Sequence, residues 1–145
     1  MKKLISFSAI FLILLLAACS KKDKVAAASK TDLLTSGSWK LTALVSDDDG
    51  NGSYETNVYA GFSSCFTDNY YTFKANGELE LNEGPTKCDP IDPQTDVATW
   101  KLTQNETHLA INTDEWILQE LTASTLTWKE EYSGGRSSLV TFTKR

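Results

Sequence analysis

Few residues of this chain have chemical capacity: an aspartate run, a single histidine, three cysteines and paired glutamates on an alternating segment. Asp47, Asp49 and Asn51, followed by Gly52, match the first, third, fifth and sixth positions of a calcium-binding loop. The twelfth position, where a bidentate glutamate should close the site, is Val58. Neither flank carries helical periodicity. The run therefore predicts a solvated turn, rich in residues that tolerate turn geometry, and no metal. His108 lacks the second imidazole or free thiols that zinc binding or a proton relay would use, and it predicts a solvent-facing strand position. Glu78 and Glu80 share one face of a period-two segment, opposite Leu79 and Leu81, which makes them an outer surface rather than an acid–base pair. The sequence contains no G-x-S-x-G, H-E-x-x-H or phosphate-cradling glycine loop. The expectation is a protein without catalytic residues, metal or cofactor, and not an enzyme.

Cys19 stands apart from the other two cysteines. Lys2 and Lys3 precede an uncharged run from Leu4 to Ala18, closed by Ala17 and Ala18. Basic start, apolar middle and small-residue exit are the anatomy of a secretory signal. At 1.5 Å per residue the run spans about 22 Å as a helix, short of the roughly 20 residues that cross a bilayer. Leu16-Ala17-Ala18-Cys19 resembles the lipobox of bacterial lipoproteins. The resemblance implies removal of residues 1–18, lipidation of the Cys19 sulfur and acylation of the new amino terminus by palmitate-like chains. One acyl chain holds a protein to a membrane only marginally, whereas two or more hold it stably. With Cys19 assigned to the anchor, Cys65 and Cys88 remain as a pair in an oxidising compartment, where a disulfide is expected. Residues 19–34 then read as a flexible tether, because "SKKDKVAAASK" (20–30) offers four lysines, small residues and no aromatic.

From Thr31 onward the charge balance reverses, with 18 acidic against 8 basic residues and a net of −10. That balance argues against nucleic acid as a partner and keeps the domain off an anionic membrane surface. Residues 35–145 suffice for one domain with its own core. Short runs rich in Thr, Val, Ile, Tyr and Trp recur between turn residues, the all-β pattern. Eight strands are predicted, at 38–46, 70–75, 78–83, 96–103, 108–113, 115–122, 124–132 and 137–144. In the first, Trp39, Leu41, Ala43 and Val45 alternate against Lys40 and Thr42. Asn76-Gly77 marks a tight hairpin. Short connections make successive strands antiparallel, and closing the last onto the first removes two open edges. The expected architecture is an eight-stranded antiparallel up-and-down barrel, wide enough for packed side chains or one small ligand. The irregular segments 52–69 and 84–93 should cover one mouth, stapled by Cys65–Cys88.

Gly37-Ser38-Trp39, the run "CFTDNYYTFKANG", the cysteine some twenty residues later, "ATWKL" and the closing "TFTK" together resemble the lipocalin-like domain of small bacterial lipoproteins over about residues 35–144. The resemblance implies a barrel with an apolar interior. Lipocalins set an arginine against the G-x-W tryptophan, and Arg136 is the candidate for that position. Thr67-Asp68-Asn69-Tyr70 precedes the second strand and is not equated with the lipocalin T-D-Y motif. Tyr71, Phe73, Trp100, Trp128 and Phe142 fall at inward strand positions and form the expected ligand-binding set, opening at the end opposite Trp39. Two functions follow. One is a membrane-anchored carrier of a small hydrophobic ligand; the other is a solid-cored structural or protein-interaction module using the acidic loops 47–69 and 84–96. The membrane, reached through the lipid anchor, is the expected partner, with no protein partner specified. Ser20 after the cysteine resembles the pattern sent to the outer membrane.

Overall fold

The computed structural model describes residues 27–145; the predicted signal segment and the predicted anchor, Cys19, lie outside the described residues. A short helix α1 (Lys30–Thr35) leads into β1 (Ser38–Asp47). The next segment carries β2 (Thr56–Asn57), a 3-10 turn (Tyr59–Gly61) and α2 (Ser64–Thr67). Seven strands follow: β3 (Tyr70–Phe73), β4 (Glu78–Asn82), β5 (Thr95–Thr103), β6 (His108–Ile111), β7 (Asp114–Leu121), β8 (Thr125–Glu131) and β9 (Ser137–Lys144). β3 to β9 form an antiparallel meander, and β9 pairs along β1 from Trp39↔Lys144 to Asp47↔Ser137. β1 also pairs β3, so the sheet closes into a ring. The two-residue β2 adds a ninth strand beside Val45 and Ser46 of β1. The predicted eight-stranded barrel is thus present, with one minor addition.

In such a meander alternate connections gather at the same end. One end collects α1 and the turns 74–77, 104–107 and 122–124. The other collects 48–69, 83–94, 112–113 and 132–136. Strand alternation points Trp39, Phe73, Leu79, Trp100, Leu109, Leu126, Val140 and Phe142 into a single core. The alternation expected in β1 breaks midway: pairing passes from Leu41↔Phe142 to Ala43↔Thr141, leaving Thr42 as the extra residue of a β-bulge. Leu44, rather than Ala43 or Val45, then packs on the core.

The ordered fold begins earlier than the expected boundary at residue 35. Ser29 and Asp32 form a reciprocal capping box at the start of α1, each backbone N–H meeting the other's side chain at 3.0 Å. Leu34 is completely buried, and α1 packs against β3 and β7. The Trp39 indole N–H donates to the Leu34 carbonyl at 2.8 Å. Lys30 donates to the Glu106 carbonyl at 2.5 Å and Lys144 to the Leu33 carbonyl at 3.1 Å. Burying a leucine fully contributes about 1.5–3 kcal/mol. α1 is therefore the plug of one barrel end rather than tether, and residues 30–144 enclose their own core and can fold as a unit.

Candidate functional site

With one end plugged, the opposite end is where the interior meets solvent. Strand alternation carries the inward face of β3, β4 and β5 past its apolar residues to Asn69, Glu83 and Asp96. These three, with Tyr71, Leu81, Asp92 and Pro93, line a mouth cavity of about 310 Å³. Tyr71 and Leu81 belong to the edge of the core, so they form the apolar wall. Tyr71 stands edge-on to Phe142, ring centres 5.2 Å apart. Its phenol is pushed above the usual range by burial and, secondarily, by the charge of Glu83.

The Cys65–Cys88 disulfide is present, with Cα atoms 5.0 Å apart, and it joins α2 to the β4–β5 connection beside this mouth. Neighbouring groups reinforce the join. With its nitrogen toward them, the Asn69 amide donates to the carbonyls of Cys65 (2.9 Å) and Glu83 (2.7 Å). Asp68 accepts from the Thr86 N–H at 3.0 Å. Gly84, at φ +69°, lies so close that a Cβ there would collide with the Asp68 carbonyl, and a positive φ is a conformation side chains resist. Gln94 donates to Asn82 and to the Gly84 carbonyl, folding the connection back on its base.

The five aromatics expected to bind ligand all point inward, but they meet one another rather than an open space. Phe73 stands edge-on to Trp100 at 5.3 Å, and Trp128 packs on Phe142 at 4.5 Å. Trp116, which the sequence reading did not single out, stacks on Trp128 at 5.2 Å. The buried indoles are satisfied: Trp100 donates to the Lys74 carbonyl at 2.9 Å and Trp128 to Glu130 at 3.0 Å. Of the five, only Tyr71 lines the mouth cavity.

The other sequence candidates settle into structural roles. Asp47 is buried, and its carboxylate accepts the N–H groups of Gly50 (2.8 Å), Asn51 (3.1 Å) and Gly52 (2.9 Å). Burial alone would raise its pKa, but those three amides outweigh that and hold it below the ordinary carboxylate range. The aspartate run is a turn that one of its own side chains organises. Glu78 and Glu80 face outward and both pair with Lys74, at 2.6 and 2.9 Å. His108 is half-buried and shares a hydrogen bond with Thr107 at 2.8 Å. Arg136 does not reach Trp39: it lies in the β8–β9 connection at the far end and donates to the Ser133 carbonyl. The cation over the Trp39 ring is Lys144, 4.6 Å from its centre, because the last strand ends where β1 begins.

A closed antiparallel ring, plugged at one end and cupped at the other, defines a small lipocalin-type barrel. The lipocalin-like domain model matches residues 35–128, and the chain belongs to that family. A lipocalin-like protein from Bacteroides uniformis ATCC 8492 shares 16% identity and a TM-score of 0.48, over 78% of this chain and 99% of its own. A DUF4847 family protein from Bacteroides vulgatus ATCC 8482 shares 13% identity and a TM-score of 0.51, over 81% of this chain and 98% of its own. At that identity the likeness concerns the fold alone. Comparison with curated proteins finds no match.

Proposed function

We propose that this protein is a lipid-anchored lipocalin-like lipoprotein of the outer membrane that binds a small hydrophobic ligand at the open mouth of its barrel. The observation that carries the ligand reading is the mouth itself: about 310 Å³, walled by Tyr71 and Leu81, at the end α1 leaves free. Ligand pockets start at roughly 300 Å³ and combine apolar walls with a few placed polar groups. The aromatics beneath serve as a rigid floor rather than as a deep cavity. Anchoring through Cys19 fits the arrangement, because the described chain enters at the plugged end and the mouth opens away from it. Binding rather than catalysis agrees with the family.

A second reading rests on a different observation. Phe66 is 57% exposed and Ile91 88% exposed, both on the mouth connections, and Phe62 packs between Tyr59 and Phe66. An apolar rim of this kind suits a protein-interaction module. Mass spectrometry of the native protein extracted from membranes separates the two. The carrier reading expects a mass lacking residues 1–18 and bearing acyl chains on Cys19, with a small apolar molecule released on denaturation. An intact signal segment refutes the anchor. A ligand-free barrel that shows no calorimetric response to neutral or charged amphiphiles refutes the carrier and favours the module.

A further inference from the structure

The Cys65–Cys88 bond joins two segments that burial does not secure. No residue of 58–69 or 83–94 is buried, and neither segment contributes to the apolar core. Apart from the bond, the join consists of the polar contacts of Asn69 and Asp68. Yet the first segment completes the barrel wall. β1 pairs β3 only through Ser38–Lys40 and β2 only through Val45 and Ser46, so its edge between those points carries no strand. The 3-10 turn and α2 pack against β1 instead. Asn69 and Glu83, one from each joined segment, line the mouth, and Glu83 accepts the Cys88 N–H at 3.4 Å.

The bond is open to attack from one side. Cys88 is exposed, whereas Cys65 is half-buried. The Ser63 hydroxyl lies 3.0 Å from Cys65 Sγ. A disulfide sulfur carries no proton, so the hydroxyl is the donor. The Ser63 side chain makes no capping bond to α2. A donor at that sulfur eases the departure of Cys65 as a thiolate when Cys88 is attacked.

We infer that Cys65–Cys88 is a redox clasp: a dithiol reductant opens it through Cys88, freeing 58–69 and 83–94 and loosening the mouth's hold on its ligand. A thiolate of the reductant attacks Cys88 Sγ. The S–S bond breaks, and its electron pair passes to Cys65 Sγ, which takes up a proton. The reductant's second thiolate then attacks its own sulfur in the mixed disulfide, and Cys88 leaves as the second protein thiol. Two electrons pass in all, giving two protein thiols and an oxidised dithiol. The effect on ligand rests on the carrier reading; the clasp does not.

The test treats oxidised residues 27–145 with dithiothreitol, in buffer and in denaturing urea, and follows cleavage by quenched mass spectrometry. An accessible clasp is cut in buffer within about tenfold of its rate in urea, because no unfolding precedes attack. A bond reached only through unfolding is cut about 10³-fold slower or more. A native rate more than about tenfold below the urea rate therefore overturns the inference. With 2-mercaptoethanol, the trapped adduct should sit on Cys88, and an adduct on Cys65 overturns the direction of attack. Ser63→Ala should slow cleavage about threefold; an unchanged rate removes Ser63 from the step. The reduced protein should lose amide protection in 58–69 and 83–94, keep it in β8 and β9, and bind octanol at least about tenfold more weakly. Protection retained in both segments, or lost throughout the barrel, overturns the clasp. Equal octanol affinity in the two redox forms overturns its control of the mouth. If octanol and charged amphiphiles bind neither form, the carrier reading falls, while cleavage and exchange still decide the clasp.

Discussion

Replacing Cys65 and Cys88 by serine removes the covalent join between α2 and the β4–β5 connection while leaving the barrel strands untouched. The cysteines are 23 residues apart. In the chain-entropy description, closing a loop of that length removes about 11 cal/mol/K from the unfolded state, or about 3.4 kcal/mol at 25 °C. Unfolding entropy of about 2.1 cal/mol/K per residue, over the described segment, converts that loss to a fall in Tm of roughly 13 °C. Calorimetric melting of residues 27–145 as C65S/C88S and as the oxidised wild type measures it. Amide exchange then locates the effect: protection should fall in 62–69 and 83–94 and persist in β8 and β9. A Tm change under about 3 °C would show that Asn69, Asp68 and Gln94 already hold the two connections without the bond. Loss of protection spreading into β8 and β9 would equally refute the idea that the bond acts on the mouth alone.

Two further expectations concern the ends of β1. Leu34→Ala should cost about 3 kcal/mol by urea denaturation, as large-to-small changes at fully buried sites do; a loss below about 1 kcal/mol would mean that α1 is not an integral plug. Asp47→Asn should flatten the acid side of the stability–pH profile. A carboxyl whose folded pKa is depressed stabilises the fold above its unfolded pKa, and that contribution disappears as pH falls through the folded value. Asp48, Asp32 and Glu115 are lowered in the same way by hydrogen-bond donors, so the variant should remove part of the acid dependence, and an unchanged profile would exclude Asp47 as a contributor.

The barrel was legible because its signals are local and repeated. Period-two alternation, Asn76-Gly77 and short connections each follow from neighbours in the chain, and together they leave few alternatives to an antiparallel meander. Where the reading failed, the deciding contact was distant. Lys30 to Leu34 read as the end of the tether, since a six-residue helix with one capping box does not form unaided. They are ordered because Leu34 fits the barrel end and the Trp39 indole needs an acceptor there. Thr42 is likewise unremarkable in sequence, yet it becomes the bulge that moves Leu44 inward in place of Ala43 and Val45. The cation over Trp39 is Lys144 rather than Arg136, a consequence of ring closure that no local pattern announces.

The site shows the same division from another side. Looking for an apolar ligand favours the largest inward residues, and four of the five chosen that way are spent on filling the barrel. Eight strands enclose only enough room for side chains or one small ligand, so each indole placed at the centre takes space from the other use. The mouth lies instead where alternation continues after the apolar residues stop: Phe73, Tyr71, Asn69 on β3 and its approach, Leu79, Leu81, Glu83 on β4 and its exit, and Trp100, Ala98, Asp96 on β5. Each series starts apolar near the plug and ends polar at the opening. Following strand parity to the end of every strand, without discarding the charged members, would have found Asn69, Glu83 and Asp96 from sequence. Asp92 would still have been missed, because the fold of the β4–β5 connection, rather than strand parity, brings it to the rim.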